Sequence, residues 1–177
     1  MAFFVVPPLS IVDVPADKHH RVIPLTRRSI RFIYLHATGA PEGSDSLAWL
    51  STSSDPPVSC HRLISRNGII HKIVPDEWIA FTQGFGVMGR RSKDTVNLNR
   101  DGLSIEFENS NRLHPPFERY DDAQLRSGAW QVVEWWSFYG FLPVLRHSDV
   151  DANKHDPSGF PWEQFNSILL AVLRSCL

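Results

Sequence analysis

The stretch from residue 121 to 139 constrains this chain most. Apolar Leu125, Ala129, Val132, Val133, Trp136 and Phe138 recur there at the spacing of one helical face. Acids occupy the first turn and Gly140 supplies a stop. A helix with so wide an apolar face has to lie against something, and the β-forming segments around it provide a sheet. Residues 31–36 read as a strand without a breaker, and 103–108 alternate at period two. The alternation puts Ile105 and Phe107 on one face and Glu106 and Glu108 on the other. A short strand is expected over 141–146. A last helix begins near Pro161, with proline at a permitted first-turn position, and carries Phe165, Ile168, Leu169, Val172 and Leu173. The prediction is an α/β fold in a single domain, a central mixed β-sheet flanked by helices.

Weaker signals fill in the rest. Residues 44–52 suggest a short helix with Ser44 as its N-cap. Residues 58–65 and 69–74 flank Asn67-Gly68, a hairpin turn in which both residues are expected to tolerate positive φ. Prolines at 7, 8, 15 and 24 make 1–29 read as an extended leader laid on a domain spanning 30–177. A net charge of −1 and the lack of a basic stripe argue against nucleic acid as a partner. The cluster Arg90, Arg91, Lys93 reads as a solvated loop. Cys60 and Cys176 form no CxxC pair, so a reducing compartment is expected. The apolar run opening the chain is too short for a signal peptide, and no stretch has the length of a membrane span. Synthesis in the cytoplasm and a monomeric state follow as expectations.

Eight histidines lie along the chain, and most read as bystanders. His19, His20 and His114 sit in polar or proline-bound loops, while His61 and His71 fall within the hairpin strands. His36 and His147 differ because each closes an apolar strand, where sites in α/β sheets collect. After His147 the chain is dense in ligand-type side chains, including Asp149, Asp151, Lys154, His155 and Asp156. Two imidazoles and a carboxylate suit zinc and leave a fourth position open. The pattern leaves His155 as a rival to Asp156, and Glu108 as a rival to Glu106 for any acid-base role. Asp149 and Asp151 read as turn or capping residues. Gly84-Phe85-Gly86-Val87-Met88-Gly89 fits GxGxxG, but no helical period follows it, so a dinucleotide site is not expected.

Four segments in order resemble the type-2 N-acetylmuramoyl-L-alanine amidases. They are Tyr34-Leu35-His36-Ala37-Thr38, the run from Val58 to Gly68, Asn99 with Leu103-Ser104-Ile105-Glu106, and His147-Ser148-Asp149 through Asp156-Pro157. The resemblance implies zinc held by His36, His147 and Asp156. It implies Glu106 as the acid that takes a proton from the attacking water and Lys154 as the cation that steadies developing negative charge. Peptidoglycan or a muropeptide is the implied substrate, cut between N-acetylmuramic acid and L-alanine. An endolysin and a cell-wall-recycling amidase both suit a chain like this. A non-catalytic peptidoglycan-binding module is the alternative. The chain departs from the pattern at Thr82, where recycling members carry histidine, at Cys60, where several phage members carry tyrosine, and at Ser158, which stretches the closing Asp-Pro-Gly.

Overall fold

The computed structural model describes residues 10–16, 30–52, 55–86 and 96–176. Its strands are β1 (Ile11–Asp13), β2 (Phe32–Ala37), β3 (Arg62–Ile64), β4 (Ile70–Lys72), β5 (Phe85–Gly86), β6 (Val96–Asn97), β7 (Gly102–Phe107) and β8 (Val144–Arg146). Six of them form one mixed sheet in the order β1-β4-β3-β7-β2-β8, and β5 pairs with β6 in a separate ribbon. Only the β3–β4 pair of the large sheet is antiparallel. The helices are α1 (Ser46–Ser51), α2 (Asp122–Tyr139), α3 (His147–Val150) and α4 (Trp162–Ser175). Most of the leader expected over 1–29 lies outside the described residues; within it, Ile11–Asp13 adds an edge strand to the sheet.

The α/β expectation holds, and the reason is visible in β2 and β7. Both are central and paired on each side; β7 is buried along its length and β2 from Ile33 onward. Ile33, Leu35, Leu103, Ile105 and Phe107 join the core under α2 and α4, together with Leu125, Ala129, Val132 and Phe165. The alternate positions, Tyr34, His36, Ser104 and Glu106, therefore face the opposite side of the sheet, and they are buried as well. A polar residue in such a strand is enclosed rather than solvated.

Four local expectations need correction. The N-cap of α1 is Asp45, not Ser44; its carboxylate accepts the Ala48 N–H at 2.8 Å. In α2, Trp135 is fully buried whereas Phe138 is 74% exposed. The core stripe runs through Val132 to Trp135, whose indole N–H donates to Asp76 at 2.9 Å and whose ring lies 5.1 Å from the Arg62 guanidinium. Pro161 is the N-cap of α4 rather than part of its first turn. In the hairpin turn only Gly68 takes positive φ, at +83°. Its N–H bonds the Ser65 carbonyl at 2.8 Å, so Arg66 and Asn67 form the turn and Gly68 follows it in the left-handed region. Among the described residues no helix is long and apolar enough to cross a membrane.

Gly68 carries two constraints at once. Beyond its φ, a Cβ placed there would lie 2.9 Å from the Ala123 carbonyl oxygen in α2. Gly43, at φ +84°, has open space where its Cβ would be. Gly68→Ala is expected to lower unfolding free energy by about 2 kcal/mol or more, against about 1 kcal/mol for Gly43→Ala. Urea denaturation measures both, and equal losses would show that the hairpin does not press on α2.

Candidate metal centre

His36 is the penultimate residue of β2, which lies between β7 and β8, and is 1% exposed. His147 follows β8 directly and opens α3. That turn is fixed by Asp149, which accepts the Arg146 backbone N–H at 2.8 Å and grips the Arg146 guanidinium at 2.7 and 3.1 Å. The chain then reverses through Asp151, whose carboxylate accepts the Asn153 N–H at 2.9 Å. Both acids hold turns, as expected. The loop returns to α3 where Ser148 N–H bonds the Asp156 carbonyl at 3.1 Å, which delivers the Asp156 side chain beneath both histidines.

A single oxygen, Asp156 Oδ2, lies 3.0 Å from His36 Nδ1 and 3.1 Å from His147 Nδ1. The two rings meet edge-on with centroids 4.5 Å apart. His147 Nε2 lies 3.1 Å from the Gln83 carbonyl, and a carbonyl only accepts, so Nε2 bears hydrogen. The nitrogen turned toward Asp156 is then the one free to bind a cation. His36 Nε2 is buried with no hydrogen-bond partner among the described residues.

The electrostatics follow from enclosure. Burial is the main cause that lowers the His36 pKa to about 4, and the Asp156 contact only partly offsets it. For Asp156 burial alone would raise the pKa, but the close contacts with the His147 and His36 rings together hold it well below the usual carboxylate range. Glu106 pairs with His36 in the β2–β7 register, and the two share a face. Burial first, then the Asp156 charge, push its carboxyl well above the ordinary value, while Lys154 pulls the other way. The field of Lys154, itself exposed, thus reaches both Glu106 and His36. Glu106 Oε2 is buried and has no partner among the described residues.

The rival residues lie elsewhere. His155 is exposed and outside the cluster. Glu108 lies beyond the end of β7, half-buried, and accepts the Arg66 N–H at 3.2 Å. His61 is consumed by Ser104 and the Trp78 carbonyl, and His71 Nε2 by Ser65. His114 is exposed, while His19, His20 and the Arg90–Lys93 cluster lie outside the described residues. Of the GxGxxG run, 85–86 form one strand of the β5–β6 ribbon, which is followed by a 3-10 turn, and 87–89 lie outside the described residues. Thr82 donates its hydroxyl to the Ser59 carbonyl at 2.6 Å, anchoring the chain behind the centre. Cys60 is a buried core thiol, and burial and the nearby Glu106 raise its pKa, so it stays protonated.

These donors suit a tetrahedral metal. Ligand bonds of about 2.0–2.1 Å at tetrahedral angles separate donor atoms by roughly 3.3 Å, close to the 3.0 and 3.1 Å found between Asp156 and the imidazoles. All three ligand atoms lie within 4.8 Å of one another. Two imidazole nitrogens and one carboxylate oxygen are a donor set of the kind zinc, a borderline-soft ion, prefers.

Comparison with known proteins follows the same line. A family model described as N-acetylmuramoyl-L-alanine amidase matches residues 26–159. In fold the chain is similar to a selenomethionine derivative of AmpD, at 22% identity and a TM-score of 0.73, covering 90% of this chain and 94% of that one. It is also similar to AmpDh3 from Pseudomonas aeruginosa in complex with anhydromuramic pentapeptide, at 22% identity and a TM-score of 0.65, covering 86% of this chain and 65% of that one. AmiD from E. coli, in complex with the substrate anhydro-N-acetylmuramic acid-L-Ala-D-gamma-Glu-L-Lys, is similar at 24% identity and a TM-score of 0.65. There the alignment covers 78% of this chain and 57% of that one. Comparison with curated proteins gives no significant match.

Because Asp149 caps α3 and orients the peptide that carries His147, Asp149→Ala is expected to cost about 1–2 kcal/mol of stability. Chemical denaturation of the metal-free protein checks this. A loss below a few tenths would show that the turn holds without its acid.

Proposed function

From its membership of the N-acetylmuramoyl-L-alanine amidase family, to which this chain belongs, we propose that it hydrolyses the amide between N-acetylmuramic acid and L-alanine with a zinc ion held by His36, His147 and Asp156. The observation that carries the reading is the meeting of those three side chains at one oxygen, with Glu106 on the adjoining strand. The same reading makes 30–177 the catalytic domain.

Amides are poor electrophiles, so the site has two tasks, to activate water and to draw electrons from the carbonyl. Zinc supplies a Lewis acid that serves both. Glu106 handles the proton. Its buried carboxylate, raised in pKa and unpaired at Oε2, takes a proton from the attacking water and passes it to the leaving nitrogen. The carbon–nitrogen bond then breaks, freeing the lactoyl carboxylate and the alanine amine. Lys154 sets an ammonium near the centre that favours negative charge on the amide oxygen as it develops. His147 is oriented by the Gln83 carbonyl and His36 by the close walls of the sheet.

The substrate class draws support from AmpDh3 and AmiD, whose structures hold anhydromuramic peptides. Purified protein, with and without a chelator, should be incubated with whole peptidoglycan and with soluble anhydro-muropeptides. The expected result is new alanine amino termini without new reducing sugar ends, lost on chelation. Preference for whole wall marks a lytic role of the endolysin kind, and preference for soluble fragments marks recycling. Retained binding with no cleavage by zinc-loaded protein would instead make the chain a receptor. Glu106→Gln is expected to keep zinc and lose at least about 100-fold in turnover, whereas His36→Ala loses the metal. Full activity in either variant overturns the assignment.

A further inference from the structure

Asn99 belongs to a 3-10 turn, Leu98–Arg100, and is buried. Its side-chain oxygen accepts three consecutive backbone N–H groups, from Thr82 at 3.1 Å, Gln83 at 2.8 Å and Gly84 at 3.0 Å. The turn is braced in return, since Asn97 Oδ1 accepts the Asn99 N–H at 3.1 Å and Leu98 N–H bonds the Gly84 carbonyl at 2.9 Å. The Gly84 N–H and the Gln83 carbonyl belong to one peptide unit. Such a unit is planar and trans, so its N–H and its C=O point in opposite directions. Holding the Gly84 N–H on Asn99 aims the Gln83 carbonyl away from Asn99, and at its far end that carbonyl meets His147 Nε2 at 3.1 Å. Gly84 has φ +67°, which a glycine leaves easily, so the peptide plane is not fixed by its own backbone.

We propose that Asn99 is a positioning residue for the metal centre, acting through the Gln83–Gly84 peptide to fix the tautomer and tilt of His147. The inference rests on the zinc reading above. It differs from a general structural role because it runs through one carbonyl to one imidazole. A hydrogen-bonding partner on the far nitrogen of a metal-binding histidine typically governs affinity by 10–100-fold. Losing Asn99 frees the peptide plane, and His147 then loses the acceptor that keeps its Nδ1 available.

The test compares wild type, Asn99→Ala and Asn99→Asp. The aspartate keeps an acceptor oxygen for the three N–H groups. Zinc dissociation constants come from chelator competition. The His147 Nε2–H is followed by NMR in the zinc-loaded proteins, with thermal unfolding of the metal-free forms alongside. Expected are about 10–100-fold weaker zinc binding and loss or fast exchange of the Nε2–H signal in Asn99→Ala, with both restored to near wild type in Asn99→Asp. A lower melting temperature in Asn99→Ala with unchanged zinc affinity overturns the proposal and leaves the zinc reading intact. So does an equal loss of affinity in both variants. Should Asn99→Ala not fold, wild type alone decides. By reciprocity of coupling, zinc loading must slow hydrogen exchange at the Gln83 and Gly84 amides, and unchanged exchange overturns the inference. Wild type that binds no zinc fails the underlying reading, and the inference falls with it.

Discussion

Asp156 offers one carboxylate oxygen to two imidazoles, one from β2 and one from the first turn of α3, at 3.0 and 3.1 Å. Much of the architecture serves that meeting. β2 and β8 must lie side by side and parallel for His36 and His147 to emerge at the same end. The turn held by Arg146 and Asp149 must point His147 inward, and the loop through 151–156 must double back to bring its acid beneath. Two imidazoles and one carboxylate, all largely removed from water, make a poor resting arrangement for a protein core. They make a good one for a divalent cation, whose charge offsets the buried carboxylate and whose geometry matches the donor spacing.

The sheet explains how polar groups came to be enclosed there. Parallel strands at the centre of a sheet are covered on both faces, so alternation no longer separates core from solvent. It separates two interiors. One face of β2 and β7 meets α2 and α4; the other holds Tyr34, His36, Ser104 and Glu106. Enclosure on that second face raises the Glu106 carboxyl and lowers His36, which suits a proton carrier and a neutral ligand respectively. The same burial that costs stability thus prepares both groups for chemistry.

How much of this was legible in the chain depended on the range of the interactions. The two long helices and β7 declared themselves by period, a local consequence of burying one face, and β2 by an unbroken run of β-formers. His36 and His147 stood out because each ends an apolar run, and the ordered motifs, not spacing, joined them to Asp156. Trp135 was missed in favour of Phe138, since the stripe's last turn is decided by Asp76 and Arg62, partners distant in sequence. The turn at Gly68 was assigned positive φ at two residues where the structure uses one. Gln83 left no signal at all. Its contribution is a backbone carbonyl, which every residue possesses, and only the folded chain shows where it points.

The two ends of the His36–Asp156 contact lie 120 residues apart in sequence. No local segment can assemble the centre, and among the described residues β2 pairs with β7 and β8, strands made much later in the chain. Contacts of that span are slow to form. During synthesis, a growing chain that has emerged only as far as β7 holds His36 alone of the three proposed ligands. On the zinc reading proposed above, metal capture would wait for β8 to dock beside β2 and for the loop to return with Asp156, so a chelator dye or a cobalt absorption band would serve as a clock for that late step of assembly.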